Sequence, residues 1–112
     1  MVPIRVRFAL SPDGSRAYVV NSGGARHGSV SVIDTATNGL IAKTIEVGRY
    51  PEQIATTPDG SHVYVANFGS NTVSVIDAAT NSLAVKAIKV GRAPAAIAIS
   101  PDGDRAYVAN MR

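Results

Sequence analysis

Short apolar runs rich in Val, Ile and Ala alternate along the whole chain with clusters of Pro, Gly, Asn and Asp. That is the pattern of strands joined by tight turns. The runs repeat. Tyr18-Val19-Val20-Asn21, Tyr64-Val65-Ala66-Asn67 and Tyr107-Val108-Ala109-Asn110 each follow a Pro-Asp-Gly triplet. The triplets, beginning at Pro12, Pro58 and Pro101, are spaced by 46 and then 43 residues. Val30-Ser31-Val32-Ile33-Asp34 recurs as Val73 to Asp77, and Ile45-Glu46-Val47-Gly48 as Ile88 to Gly91, both at an offset of 43. The first unit therefore carries a three-residue insertion between Asn21 and Val30.

One unit holds four strand-like segments, about 53–57, 62–67, 72–77 and 82–90 in the complete second copy. Four strands in roughly 40 to 45 residues is the spacing of a β-propeller blade. The expected fold is all-β, with blades of four antiparallel strands in an incomplete ring. Blade 1 is expected over about 4–47, blade 2 over 51–90 and a half blade over 94–110, forming one partial propeller. Pro-Asp-Gly puts Pro at the second position of a type I turn and leaves Gly for the left-handed residue that closes the hairpin. Thr37-Asn38-Gly39 and Thr80-Asn81-Ser82 make the next turn, where Asp34 and Asp77 can accept backbone N–H groups. The middle strands are apolar on both faces, as expected of sheets packed between neighbours. The fourth strand carries Lys43, Glu46, Lys86 and Lys89, which suits an outer edge in water. Two and a half blades cannot close a ring of about four to eight. A fragment or partial gene is therefore expected, with open edges that take up the remaining blades or another copy.

Composition changes this picture little. The hydrophobic fraction of 46% supports a packed core, and no apolar run reaches the roughly 20 residues of a membrane-spanning helix. Residues 1–7 alternate like a strand and lack a signal peptide's apolar core. With no Cys there is neither a disulfide framework nor a thiolate metal site. The net charge of +3 is spread along the chain without a basic run, so it allows an anionic polymer as partner without demanding nucleic acid.

The run of Pro-Asp-Gly, Tyr-Val-x-Asn, Val-Ser-Val-Ile-Asp-x-x-Thr-Asn and Val-Gly-x-x-Pro resembles the YVTN family of bacterial and archaeal β-propellers. Its third letter here is Val20, Ala66 or Ala109 in place of Thr. The resemblance implies a ring of usually seven blades and a periplasmic, cell-surface or secreted setting, surface layers included. It also implies kinship with amine-dehydrogenase, nitrite-reductase and lactonase propellers, and some relatives are described as binding DNA. It implies no single activity.

A group present in every blade reads as scaffold, since a catalytic residue is needed once. No Ser-His-Asp order, His-Glu-x-x-His or Cys/His cluster occurs, and no axial ligand set for haem or quinone stands out. Neither catalytic residues, metal nor cofactor is expected from this chain, and the enzyme alternative places the chemistry in further blades. What is expected is a polarity. Six of the eight acids, Asp13, Asp34, Asp59, Asp77, Asp102 and Asp104, fall in turns at one end of the blades. The opposite loops hold the candidate ligand-binding residues Arg26, His27, Arg49, Tyr50, Gln53, Asn67, Phe68, Asn71 and Arg92. Arg with aromatic and amide side chains suits anions or flat rings. The expected function is a non-enzymatic binding or scaffolding module with a basic loop face for a protein or anionic ligand. A lactonase-like or cofactor-bearing enzyme and a DNA-binding propeller are the alternatives.

Overall fold

The Pro-Asp-Gly triplets close three hairpins. The Gly14, Gly60 and Gly103 amides donate to Ser11, Thr57 and Ser100 carbonyls at 2.9 Å. The glycines sit at φ 75, 76 and 79°, the left-handed region that a Cβ disfavours. These features come from a computed structural model that describes residues 7–22, 26–41 and 44–112.

The strands form three antiparallel sheets. In the first, β1 (Phe8–Leu10), β2 (Arg16–Asn21) and β3 (His27–Asp34) run side by side, and β3 also pairs with β4 (Gly39–Leu40) and β5 (Ile45–Arg49). The second repeats this with β6 (Pro51–Thr56), β7 (His62–Asn67), β8 (Thr72–Asp77), β9 (Ser82–Leu83) and β10 (Ile88–Lys89). The third has β11 (Pro94–Ile99) and β12 (Ala106–Asn110). No helix occurs among the described residues, and the sheets are incomplete propeller blades with no closed ring. The expected start of the first strand, before residue 7, lies outside the described residues, as does Lys43.

The fourth strand differs from expectation, being broken into two short pieces in both complete sheets. Ile33 faces Leu40 while Val30 faces Ile45, and Ile76 faces Leu83 while Val73 faces Ile88. The outer strand thus has two more residues than its partner between the same two pairs. In the second sheet the excess, residues 84–87 against Ser74 and Val75, bulges out. Ala84 still donates to the Val75 carbonyl at 2.8 Å, and pairing resumes at Ile88.

Burial follows neighbours rather than sequence. Tyr18 of the first sheet is 1% exposed against the second sheet, whereas Tyr107, the same position of the third, is 58% exposed. The core is one cluster between the first two sheets: Tyr18, Val30, Val32, Ile45 and Val47 meet Ile54, Val63, Val65 and Ile76. In the middle sheet β7 and β8 are buried on both faces, as the unbroken apolar runs require.

Each joint between sheets repeats the same contacts. Pro12 lies beside Gly60, whose added Cβ would stand 3.3 Å from its ring, and Pro58 lies likewise beside Gly103 at 3.4 Å. Toward the opposite end, Gly48 abuts Asn67 and Gly91 abuts Asn110, leaving no room for a side chain at either glycine. At the first joint Arg16 also donates to the Ala78 carbonyl at 2.7 Å, and Thr56 to that of Leu10 at 3.0 Å.

Candidate loop-face binding site

The two ends of the blades differ in chemistry. At the turn end, Asp13 accepts from the Ser15 amide and from both Ser11 and Ser15 hydroxyls, all within 3.0 Å. Asp59 is held the same way by Ser61 and Thr57. Donors to the charged form favour it. The Ser15 amide foremost, then the two hydroxyls, lowers Asp13 from 3.8 to about 2, and the Ser61 amide and hydroxyl do so for Asp59, also to about 2. Asp102 is lowered too, chiefly by the Ser100 hydroxyl. The Ala36 and Ala79 amides donate to Asp34 and Asp77 at 2.8 Å, closing the expected turns. These carboxylates are therefore occupied in shaping turns.

The opposite end holds three non-glycine residues of left-handed backbone, Asn71 at φ 56° and two at the joints. Tyr50 and Ala93, which join the fourth strand of one sheet to the first of the next, have φ of 48 and 55°. The left-handed region costs a side chain of this kind about 1–2 kcal/mol. Here it turns the carbonyls of the joint toward the next sheet. The Phe68 and Gly69 amides donate to the Tyr50 and Arg49 carbonyls at 2.9 Å. Met111 and Arg112 do the same to Ala93 and Arg92, at 2.9 and 3.2 Å. Asn71 completes the second joint, its Oδ1 accepting from the Ala93 amide at 2.9 Å.

Between the second and third sheets this arrangement leaves a recess of about 730 Å³, within the size range of small-molecule sites. Tyr50, Phe68, Asn71 and Arg92 line it, together with Glu52, Ala93, Met111 and Arg112. Four of the nine expected residues thus converge. Glu52 is not a bare negative charge, since the Arg7 guanidinium lies 3.2 Å from its carboxylate. Arg26, His27 and Arg49 gather elsewhere, on the first sheet, where His27 faces Arg49 across the strand pair and its Nδ1 lies 3.0 Å from the Val47 carbonyl. Gln53 is half-buried in β6, opposite Ala66.

Asn67 lies inside the protein, 0% exposed. Its Nδ2 donates to Thr72 and Ser74 hydroxyls at 3.2 and 2.9 Å, clasping the second strand to the third. Asn21 makes the matching clasp to Ser29 and Ser31. The Asn that ends each Tyr-Val-x-Asn run thus has a structural task in both complete sheets. Met111 and Ala93 were missed by sequence reasoning. The signal was present, because Met111 stands where Phe68 does and Ala93 where Tyr50 does, one unit apart.

The sequence matches the family described as Lactonase, 7-bladed beta-propeller, over residues 7–92. The chain belongs to that family. Among solved structures the family member resembles Kuenenia stuttgartiensis hydrazine synthase, with 39% identity and a TM-score of 0.83. The alignment covers 97% of this chain and 31% of that one, so the chain spans less than a third of its structural relative. No curated protein matches it. Among the described residues no three His, Cys, Asp or Glu side chains come together as a metal cage would require, and no helix is long and apolar enough to cross a membrane.

Proposed function

We propose that the chain is a non-enzymatic segment of a β-propeller, of the YVTN repeat type and exported or surface setting, whose basic loop face binds an anionic ligand. The observation that carries this reading is the recess in which Arg92 and Arg112 meet Tyr50, Phe68 and Asn71. Arginine offers a planar fork of donors suited to carboxylate or phosphate. Asn71 has its Oδ1 committed to the Ala93 amide, which leaves its Nδ2 to donate. The neighbouring Glu52 charge is offset by Arg7. Six of the eight acids stand in turns at the far end of the blades.

The test is retention on immobilised heparin at low salt, where charges are screened over about 10 Å at 0.1 M. Exchanging Arg49→Glu and Arg92→Glu together is expected to shorten retention clearly. Equal retention of the double variant and the parent overturns the electrostatic reading. Binding to duplex DNA with a steep fall in affinity as salt rises would select the nucleic-acid alternative instead.

A second reading is supported by the family match over residues 7–92. In it the chain is part of a lactone-hydrolysing propeller whose reacting groups are supplied from outside these residues. Proton release from a simple γ-lactone, above the spontaneous rate, by a closed propeller that includes this chain but not by this chain alone would favour it over the binding role.

A further inference from the structure

The residues that border the recess differ between the two joints. At the first joint the Tyr50 ring lies against Gly69, so closely that a Cβ there would fall 2.5 Å from the ring. At the second joint the same two positions are Ala93 and Arg112. A large side chain over a small one has become a small one beside a large one. Ala93 keeps the left-handed backbone of Tyr50, at φ 55 against 48°, and the same pair of amide-to-carbonyl bonds. The backbone of the joint is therefore preserved, while the ring at Tyr50 has no counterpart at Ala93.

What remains is a cleft with unlike walls. Tyr50, 41% exposed, and the half-buried Phe68 offer ring surface. Arg92 and Arg112 offer positive charge beside it. Two neighbouring, partly exposed rings offer a flat group a surface to stack on. A bare inorganic anion would use only the arginines.

Resting on the anion-binding reading above, we infer that the recess is specific for a small aryl anion: an aromatic ring bearing a carboxylate or phosphate. The ring lies in the recess against Tyr50 and Phe68. Its anionic group meets Arg92 and Arg112. Ala93 is the specificity-determining residue, because its size decides whether the ring can enter.

The experiment compares phenyl phosphate, inorganic phosphate and phenol as probes on the intact chain, by calorimetry and by the ring proton resonances of Tyr50 and Phe68. Phenyl phosphate is expected to bind about 3- to 10-fold more tightly than inorganic phosphate, the size of one aromatic contact, and to shift both ring signals. Phenol alone is expected to bind more weakly than either. The variant Ala93→Tyr with Arg112→Gly rebuilds the first joint in the second and should lose the phenyl phosphate preference while keeping its melting temperature. Tyr50→Gly, at a backbone angle that glycine adopts freely, should lower phenyl phosphate affinity more than inorganic phosphate affinity, and it decides the matter if the double variant does not fold. Equal affinity for phenyl and inorganic phosphate would overturn the ring inference and leave the anion reading standing. Binding of neither overturns both. A preference that survives in a folded Ala93→Tyr, Arg112→Gly protein would place the ring elsewhere and also overturn the inference.

Discussion

Asn67 and Asn21 have the same clasp in different surroundings, and comparing them separates chemistry from burial. Both donate Nδ2 to two hydroxyls of the neighbouring strand. Asn67 is walled in by Gly48 of the preceding sheet, and its Oδ1 is buried without a partner. An exposed clasp competes with water, and a buried one does not. Asn67→Ala is expected to cost about 1–3 kcal/mol in urea unfolding, and Asn21→Ala less than about 0.5 kcal/mol. At this scale the sequence alone was misleading. The recurring Asn marks a strand end beside loops, which invites a binding role. Its burial depends on a glycine nearly twenty residues upstream.

Within the hairpins, by contrast, the residues explain themselves. Pro, Asp and Gly at successive positions dictate turn type, left-handed closure and the bonds to the aspartate, all from neighbours in sequence. Those contacts give the turns a defined acid response. Asp13 and Asp59 titrate at about 2 in the folded protein against an ordinary 3.8. A depressed folded value contributes stability that is present above the unfolded value and lost as pH falls through the folded one. The melting temperature should therefore decline between pH 4 and 2, and a carboxyl-carbon NMR titration should place Asp59 well below the usual range. Ser61→Ala, which removes one hydroxyl donor, should move the Asp59 titration upward. The broken fourth strand was not legible because Ala84, Val85 and Ala87 continue its apolar run with no Pro or Gly to mark the break. Only the pairing shows that β9 and β10 carry two residues more than β8 accommodates.

Across the whole molecule, position in the array decides what a residue is worth. Tyr18 and Tyr107 occupy equivalent places, yet only Tyr18 has a following sheet to pack on. Tyr18→Ala is expected to cost about 3–5 kcal/mol and Tyr107→Ala less than about 1 kcal/mol, measured by chemical denaturation. The repeat period revealed the blades because hairpins and alternation are local. The recess was only partly legible. Tyr50, Phe68, Asn71 and Arg92 were recognisable by type, whereas Ala93 and Met111 join them only through the packing of the third sheet against the second.

The row of turns in which Pro12 sits beside Gly60 and Pro58 beside Gly103 also governs how such an array gains cohesion. Each turn has one hand for the blade before and one for the blade after. In an open row the links number one fewer than the blades. In a closed ring of the family's seven the last blade to dock makes two links at once. Closure then contributes more than any earlier addition, so the ring should melt as a unit, whereas an open row loses its end members first.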